Sequence, residues 1–288
     1  MEKRSVEVCL SPRLFPDIVT AGDFVVVLVD ILRATTTICT AIANGARAII
    51  PVETLDEARL LKARGHLVAS ERDGVQADFA DFGNSAFSFT AQAIGGKTLA
   101  YCTTNGTRAL HIAAGRRGAA DEGDAAGRGA AADAAARADA AASGGAARTP
   151  RSVVIGAFIN LSAVWEWLMY SDHDVVILCS GWKGKFCLED TLFAGALTER
   201  LLATGEFSSE CDSAHASLDL WGLAKSDVLG YIEKATHRHR LKKLGLDDVI
   251  PYSFSLDEVA VVPVFDGEVI RAAADVMSAR GRDTGQAG

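Results

Sequence analysis

Groups that could do chemistry stand in this chain directly after short apolar runs, and they recur in one pattern. Phe24 to Val29 is followed by Asp30-Ile31-Leu32-Arg33-Ala34-Thr35-Thr36-Thr37, and Leu67 to Ala69 by Ser70-Glu71-Arg72-Asp73-Gly74. Thr98 to Cys102 leads into Thr103-Thr104-Asn105-Gly106-Thr107, and Val153 to Ile155 into Gly156-Ala157-Phe158-Ile159-Asn160. Val175 to Cys179 leads into Ser180-Gly181-Trp182-Lys183-Gly184-Lys185-Phe186-Cys187-Leu188-Glu189-Asp190. Backbone N–H groups at a helix start, capped by Thr, Ser or Asn, make an anion site. Arg33, Lys183 and Lys185 add full positive charges for phosphate oxygens. Asp30, Glu71, Glu189 and Asp190 are hard oxygen donors of the kind Mg²⁺ takes together with water and substrate phosphate. Acids and bases mixed at neighbouring strand ends are what metal-assisted phosphoryl transfer requires.

Each piece has a plainer explanation. Thr-Asn-Gly and Gly-Asn-Ser are common turns and caps. Glu189 and Asp190 open a helical pattern, where the dipole favours acids in any case, and Arg72 with Asp73 reads as a surface pair. Repetition at successive strand ends outweighs these readings, because ligands of open α/β sheets bind beyond the carboxyl ends of strands. Neighbouring mechanisms fit less well. Cys179 to Lys185 is close to the Cys-x₅-Arg loop of cysteine phosphatases, but a lysine replaces the bidentate arginine. Asp30 suits an aspartyl-phosphate enzyme, but Leu32 stands where a second Asp is usual. Serine-hydrolase elbows and P-loops do not occur. The six cysteines form no Cys-x-x-Cys pair and read as reduced core thiols. His237 and His239, two apart, would point to opposite sides of a helix, which argues against a shared metal.

The elements that must position these groups are strands and helices in alternation. The runs Val6 to Leu10, Phe24 to Val29, Ala48 to Val52, Thr98 to Cys102, Val153 to Ile155, Val175 to Cys179 and Val259 to Val264 read as strands. Helical patterns cover Thr36 to Ala43, Leu55 to Ala63, Thr107 to Ala113, Ser162 to Met169, Leu188 to Ala203 and Ser213 to Ala224. Several strands are apolar on both faces, which predicts a three-layer α/β/α arrangement with a largely parallel or mixed sheet. Trp165, Trp167 and Trp221 lie in apolar helical patterns and are expected in the core.

The chain's 288 residues are 49% hydrophobic, enough for one large domain or two interlocked subdomains. The domain is expected over 1–115 and 151–279. Between them, 116–150 has no aliphatic residue larger than Ala and no aromatic, so it reads as a flexible Ala-rich insertion, and 280–288 as a loose tail. A net charge of −8 excludes nucleic acid as a partner. No apolar run is long enough for a membrane span and no signal segment is evident, which places the protein in the cytosol. The apolar stretch Leu161 to Met169 leaves a face for homo-oligomerisation without fixing a subunit number.

Taken in order, Val29 to Thr37, Glu71-Arg72-Asp73-Gly74, Asp81-Phe82-Gly83-Asn84-Ser85, Thr103 to Thr107 and Cys179 to Asp190 resemble the successive motifs of the 2-phosphosulfolactate phosphatase (ComB-like) family. The resemblance runs from about Val6 to Pro263 and skips the Ala-rich insertion. It departs at Ser70, where Gly is expected, and at Ala86, where Pro is expected; neither change removes a charge. It implies an Mg²⁺-dependent hydrolase converting 2-phospho-3-sulfolactate to 3-sulfolactate and phosphate, a step toward coenzyme M. On that basis Asp30, Glu71, Glu189 and Asp190 are expected around the metal. Asp30, Arg33, Glu71, Asn105 and Lys185 are the expected catalytic set. Thr35, Asn84, Ser85, Gly106, Thr107, Asn160 and Lys183 are expected to bind a small anionic phospho-acid. Two other readings stand beside this one: a phosphatase for another small phospho-acid, and a non-catalytic anion-binding protein.

Overall fold

The computed structural model describes residues 3–18, 23–115 and 150–276. The tail and, apart from Pro150, the Ala-rich segment lie outside the described residues.

Within them, eleven strands form one mixed sheet, so the chain is an α/β protein as its alternating pattern predicts. The strands are β1 (Arg4–Cys9), β2 (Phe24–Val29), β3 (Ala48–Pro51), β4 (Leu67–Arg72), β5 (Val75–Gln76), β6 (Thr98–Cys102), β7 (Ser152–Gly156), β8 (Asp174–Cys179), β9 (Phe207–Ser208), β10 (Pro263–Phe265) and β11 (Ile270–Ala272). Their spatial order is β5-β4-β6-β3-β11-β10-β7-β2-β8-β1-β9. The interior strand β2 reads FVVVLV and is buried at every position, between β7 and β8 in parallel register. An unbroken apolar run survives only where both faces are covered.

The sheet contains two parallel blocks, β7-β2-β8-β1-β9 and β3-β6-β4, joined by the antiparallel hairpin β10–β11. Because β7/β10, β10/β11 and β11/β3 are each antiparallel, the two blocks run in opposite directions. Strand ends from both blocks nevertheless meet at one site, so the sheet must bend about the hairpin. The expected strand from Val259 to Val264 starts instead at Pro263. Upstream of it, Val259 N–H donates to Ile159 O, and Val261 O accepts from the Asn160 side chain, so this stretch is tied to a turn rather than to a ladder. The hairpin turn is fastened by Asp266 Oδ1, which accepts from Glu268 N and Val269 N at 3.0 and 2.9 Å.

Among the described residues the helices of eight or more residues are α1 (Ala34–Ala43), α2 (Leu55–Ala63), α3 (Gly106–Ala113), α4 (Leu161–Met169), α5 (Leu188–Ala203), α6 (Asp212–Ala224) and α7 (Thr236–Lys243). Six match the expected stretches within two residues; α7 is additional. A capping box between Thr54 and Glu57 starts α2. Trp221 is in the core, and Trp165 and Trp167 pack against its edge. No disulfide joins any of the six cysteines. Among the described residues no helix is long and apolar enough to cross a membrane.

Helices α5 and α6 pack so closely that only glycine fits at position 195. A Cβ there would lie 2.7 Å from both the Ser217 carbonyl carbon and Trp221 Cβ. Gly to Ala inside a helix ordinarily stabilises by about 1 kcal/mol. For Gly195→Ala the sign should reverse, to a net loss of about 1–3 kcal/mol from overpacking, seen as a lower urea midpoint with unchanged slope. A midpoint at or above wild type would show that the two helices can separate without cost.

Candidate active site

Asp30 sits one residue beyond β2, where the chain turns into α1. Its backbone N–H donates to Thr35 Oγ1 at 3.0 Å, and its Oδ1 accepts from Ala34 N at 3.2 Å. The Thr35 hydroxyl that the sequence offered to a substrate is therefore a buried fastening for this turn. Asp190, in the first turn of α5, accepts from Ile31 N at 2.9 Å through Oδ1 and from Gly181 N at 3.0 Å through Oδ2. It locks the loop after β2 to the loop after β8.

Glu71, near the end of β4, does the same in the other block. Its Oε1 accepts from Thr104 N at 2.7 Å, and its Oε2 from Gly74 N at 2.6 Å and Thr104 Oγ1 at 3.2 Å. The two blocks are then drawn together: Asn105 Oδ1 accepts from Lys183 N at 2.9 Å, and Lys183 Nζ lies 2.8 Å from Asp73 Oδ1. Gly106 at the start of α3 permits the approach, since a Cβ there would be 2.6 Å from Ala34 Cβ and 3.0 Å from Asp30 Oδ2.

One cleft results, bordered by Asp30, Arg33, Glu71, Asn84, Thr103, Thr104 and Asn105, and on its far side by His237 and Arg240 of α7. The peptide between Leu32 and Arg33 is cis. Arg33 is only 4% exposed, with Nη2 3.5 Å from Gly74 O. Asn84 Oδ1 accepts from the buried Tyr101 hydroxyl. Behind the cleft, Glu189 is buried with Oε1 3.0 Å from His237 Nδ1. A larger groove, bordered by Val25, Ser152, Trp167 and Tyr170, lies near the opposite, amino-terminal ends of β2 and β7 and includes none of these acids.

Crowding of buried acids sets the electrostatics. Burial, opposed by His237 and the Ala34 N–H and reinforced by Glu71 and Glu189, pushes the Asp30 carboxyl from 3.8 up to about 6. Burial and the charges of Asp30 and Glu189 hold Asp190 well above the usual carboxylate range. Burial lowers Arg33, against the pull of Glu71, Tyr101 and Asp30. The Cys179 thiol is pushed up by burial and by Asp190, and it lies inside β8 with no exposure. A thiol so placed cannot serve as a phosphatase nucleophile.

This donor set fits a hard divalent cation. Four buried carboxylates outnumber the cations facing them, and Asp30 Oδ2, on the cleft side opposite Gly106, accepts no hydrogen bond from the described residues. Asp190 and Glu71 already hold backbone N–H groups with both oxygens, which leaves Asp30 and Glu189 the freer donors. Cys187, Glu189 and His237 bring donor atoms within 4.8 Å of one another, a softer set beside the first.

Not every expected residue arrives. Asn160 is fully buried away from the cleft, its amide bonded to Ala157 N, Ile155 O and Val261 O. Thr107 Oγ1, in the first turn of α3, donates to Thr103 O in the preceding loop, and Ser85 precedes a short 3₁₀ turn and does not border the cleft. Lys185 is exposed and paired through its backbone with Trp182. Lys183 reaches the rim, where Asp73 engages it. His237 and Arg240 were missed by sequence reasoning that tested His237 only against His239. The i, i+3 spacing of His237 and Arg240, continued by Leu241, was the signal that places them on one helix face.

Known proteins show the same organisation in sequence. The family model described as 2-phosphosulpholactate phosphatase matches residues 9–119 and 140–268. A protein of Caldanaerobacter subterraneus subsp. tengcongensis, named a probable 2-phosphosulfolactate phosphatase, is 31% identical over 254 residues, covering 87% of this chain and 91% of its own. Proteins given the same name from Gloeobacter violaceus and Clostridium novyi are 35% and 31% identical, covering 82% and 83% of this chain and 86% and 88% of theirs.

Proposed function

This chain belongs to the 2-phosphosulpholactate phosphatase family, and from that premise we propose that it hydrolyses 2-phospho-3-sulfolactate to 3-sulfolactate and inorganic phosphate with Mg²⁺ as cofactor. It is an enzyme of the phosphoric monoester hydrolase class. One observation carries the finer reading: buried Asp30 and Arg33 after β2 and buried Glu71 at the end of β4 border a single cleft, beside Thr103 to Asn105 after β6.

Asp30 and Glu189 would hold the metal, with Glu71 and Asp190 fixing the loops that place them. Mg²⁺ bound there would polarise the phosphoryl ester and offset charge on its oxygens. Arg33 orients the phosphoryl group through its planar fork, and the closely approached start of α3 adds backbone donors beside Asp30. Asn84 and Asn105, each fixed by a hydrogen bond, complete the walls. Nothing here requires a covalent intermediate, and water can serve as the nucleophile.

The test is phosphate release from 2-phosphosulfolactate beside phosphoglycolate and phospholactate, with Mg²⁺, Mn²⁺ or EDTA. Selective, EDTA-sensitive release from the sulfonate substrate is expected, with residual activity in EDTA below about one part in a hundred for a metal-assisted step. Release from the other phospho-acids alone would keep the phosphatase and change its substrate. No release from folded, metal-loaded protein would reject the reaction.

A further inference from the structure

The cleft holds a second guanidinium that phosphoryl chemistry does not require. Arg240 comes from α7 and borders the same cleft as Arg33. It donates through Nη2 to the Asp73 carbonyl, and its Cζ lies 5.0 Å from the centroid of the Trp182 ring. Arg33 approaches the next carbonyl in the chain, that of Gly74. Two guanidinium groups thus meet consecutive residues, about 3.8 Å apart at Cα, one from the floor and one from the rim. The Arg33 residue is 4% exposed, whereas the Arg240 side chain is 24% exposed.

The nearest counter-charge does not account for Arg240. The Asp73 carboxylate is 3.7 Å from Arg240 but 2.8 Å from Lys183 Nζ, and its strongest interaction, the one that most lowers its pKa, is that lysine. Among the described residues, the one hydrogen-bond acceptor of the Arg240 guanidinium is a neutral carbonyl. A planar cation held by an aromatic face, bordering a cleft whose floor already has an arginine, is placed to receive a second anionic group.

Resting on the phosphatase reading above, we propose that Arg240 is the specificity residue of this cleft. It receives the substrate's second, non-transferred anion, a sulfonate or carboxylate close in bonds to the phosphoryl group, while Arg33 keeps the phosphoryl group itself. The substrate class is then a small phosphate monoester with an additional anion, and α7 is the element that selects it.

Calorimetric titration of the full-length, Mg²⁺-loaded protein with 3-sulfolactate and, separately, inorganic phosphate tests this. Arg240→Gln is expected to weaken 3-sulfolactate by at least about tenfold and phosphate by less than about twofold. Arg240→Lys keeps the charge but not the fork; it should show a smaller loss in the same order, and it replaces the Gln variant if that one does not fold. Equal losses for both ligands would make Arg240 part of the phosphoryl site or of the fold. No loss for either would make it a rim arginine paired with Asp73. Both outcomes overturn the assignment. Wild type that hydrolyses phospho-acids while showing no Arg240 effect defeats this inference alone. Wild type that binds 3-sulfolactate through Arg240 yet hydrolyses nothing defeats only the phosphatase reading.

Discussion

Asp30→Asn is expected to lower kcat/KM by at least about 10³-fold and, in the EDTA-treated protein at neutral pH, to raise Tm. Both effects have one cause. Asp30 is a carboxylate held among other acids in a buried turn, and its carboxyl is pushed up to about 6. An acid whose pKa rises on folding binds its proton more tightly in the native state. The stability it contributes is therefore fully present below the unfolded value near 4, and is lost as pH rises through about 6. Above that, the metal-free protein carries the whole cost of the charge, on the order of 3 kcal/mol for a shift of this size. Asparagine can still accept from Ala34 N but brings no charge, so the variant should be more stable without metal and nearly inert with it. Melting curves from pH 4.5 to 8 check the sign. Wild type in EDTA should lose Tm across this window more steeply than Asp30→Asn. A variant that melts lower at pH 7.5, or keeps wild-type turnover, removes Asp30 from the centre of the site.

What the sequence makes legible of the fold and of the candidate site depends on how local its determinants are. Elements that satisfy themselves locally were legible. The Thr54–Glu57 capping box and the apolar pattern of Leu188 to Ala203 set α2 and α5 at their expected bounds. Acids after apolar runs were legible because they recur at successive strand ends, although the structure also uses Asp30, Glu71 and Asp190 to fasten the turns. Opposition of the two sheet blocks was not, since it follows from a hairpin near the chain's end whose Asp266-Gly267 turn gives only a local signal. Nor was the arrival of α7, a polar, basic helix. It is brought to the cleft by a Glu189–His237 contact and by the stacking of Arg240 on Trp182, pairings between residues tens of positions apart. Asn84 borders the cleft and Asn160 does not, a difference the sequence could not give. Both are amides in loops, and only packing decides whether the amide is consumed by the backbone, as that of Asn160 is.

Arg33→Lys is the second large expected effect, a fall in kcat/KM of about 10- to 100-fold with the far-UV spectrum unchanged. Arg33 is buried in a place that disfavours its charge, and the acids that compensate, Glu71 and Asp30, are the groups most affected when a divalent cation binds. Once that cation neutralises part of the acid cluster, the guanidinium is left with less of its internal counter-charge and becomes available to an incoming phosphoryl dianion. A lysine would keep the unit charge and lose the fork, so two oxygens could no longer be held at once. The loss should therefore appear in turnover as well as in KM, because orientation of the phosphoryl group matters more as the bond breaks. Inhibition by orthovanadate gives an independent reading: its affinity should fall with kcat/KM in Arg33→Lys and stay near wild type in Arg240→Gln. If Arg33→Lys matches wild type in kcat, KM and vanadate affinity, Arg33 is a structural cation that only offsets Glu71 and Asp30, and the phosphoryl group must be held by Arg240 and the backbone donors of α3.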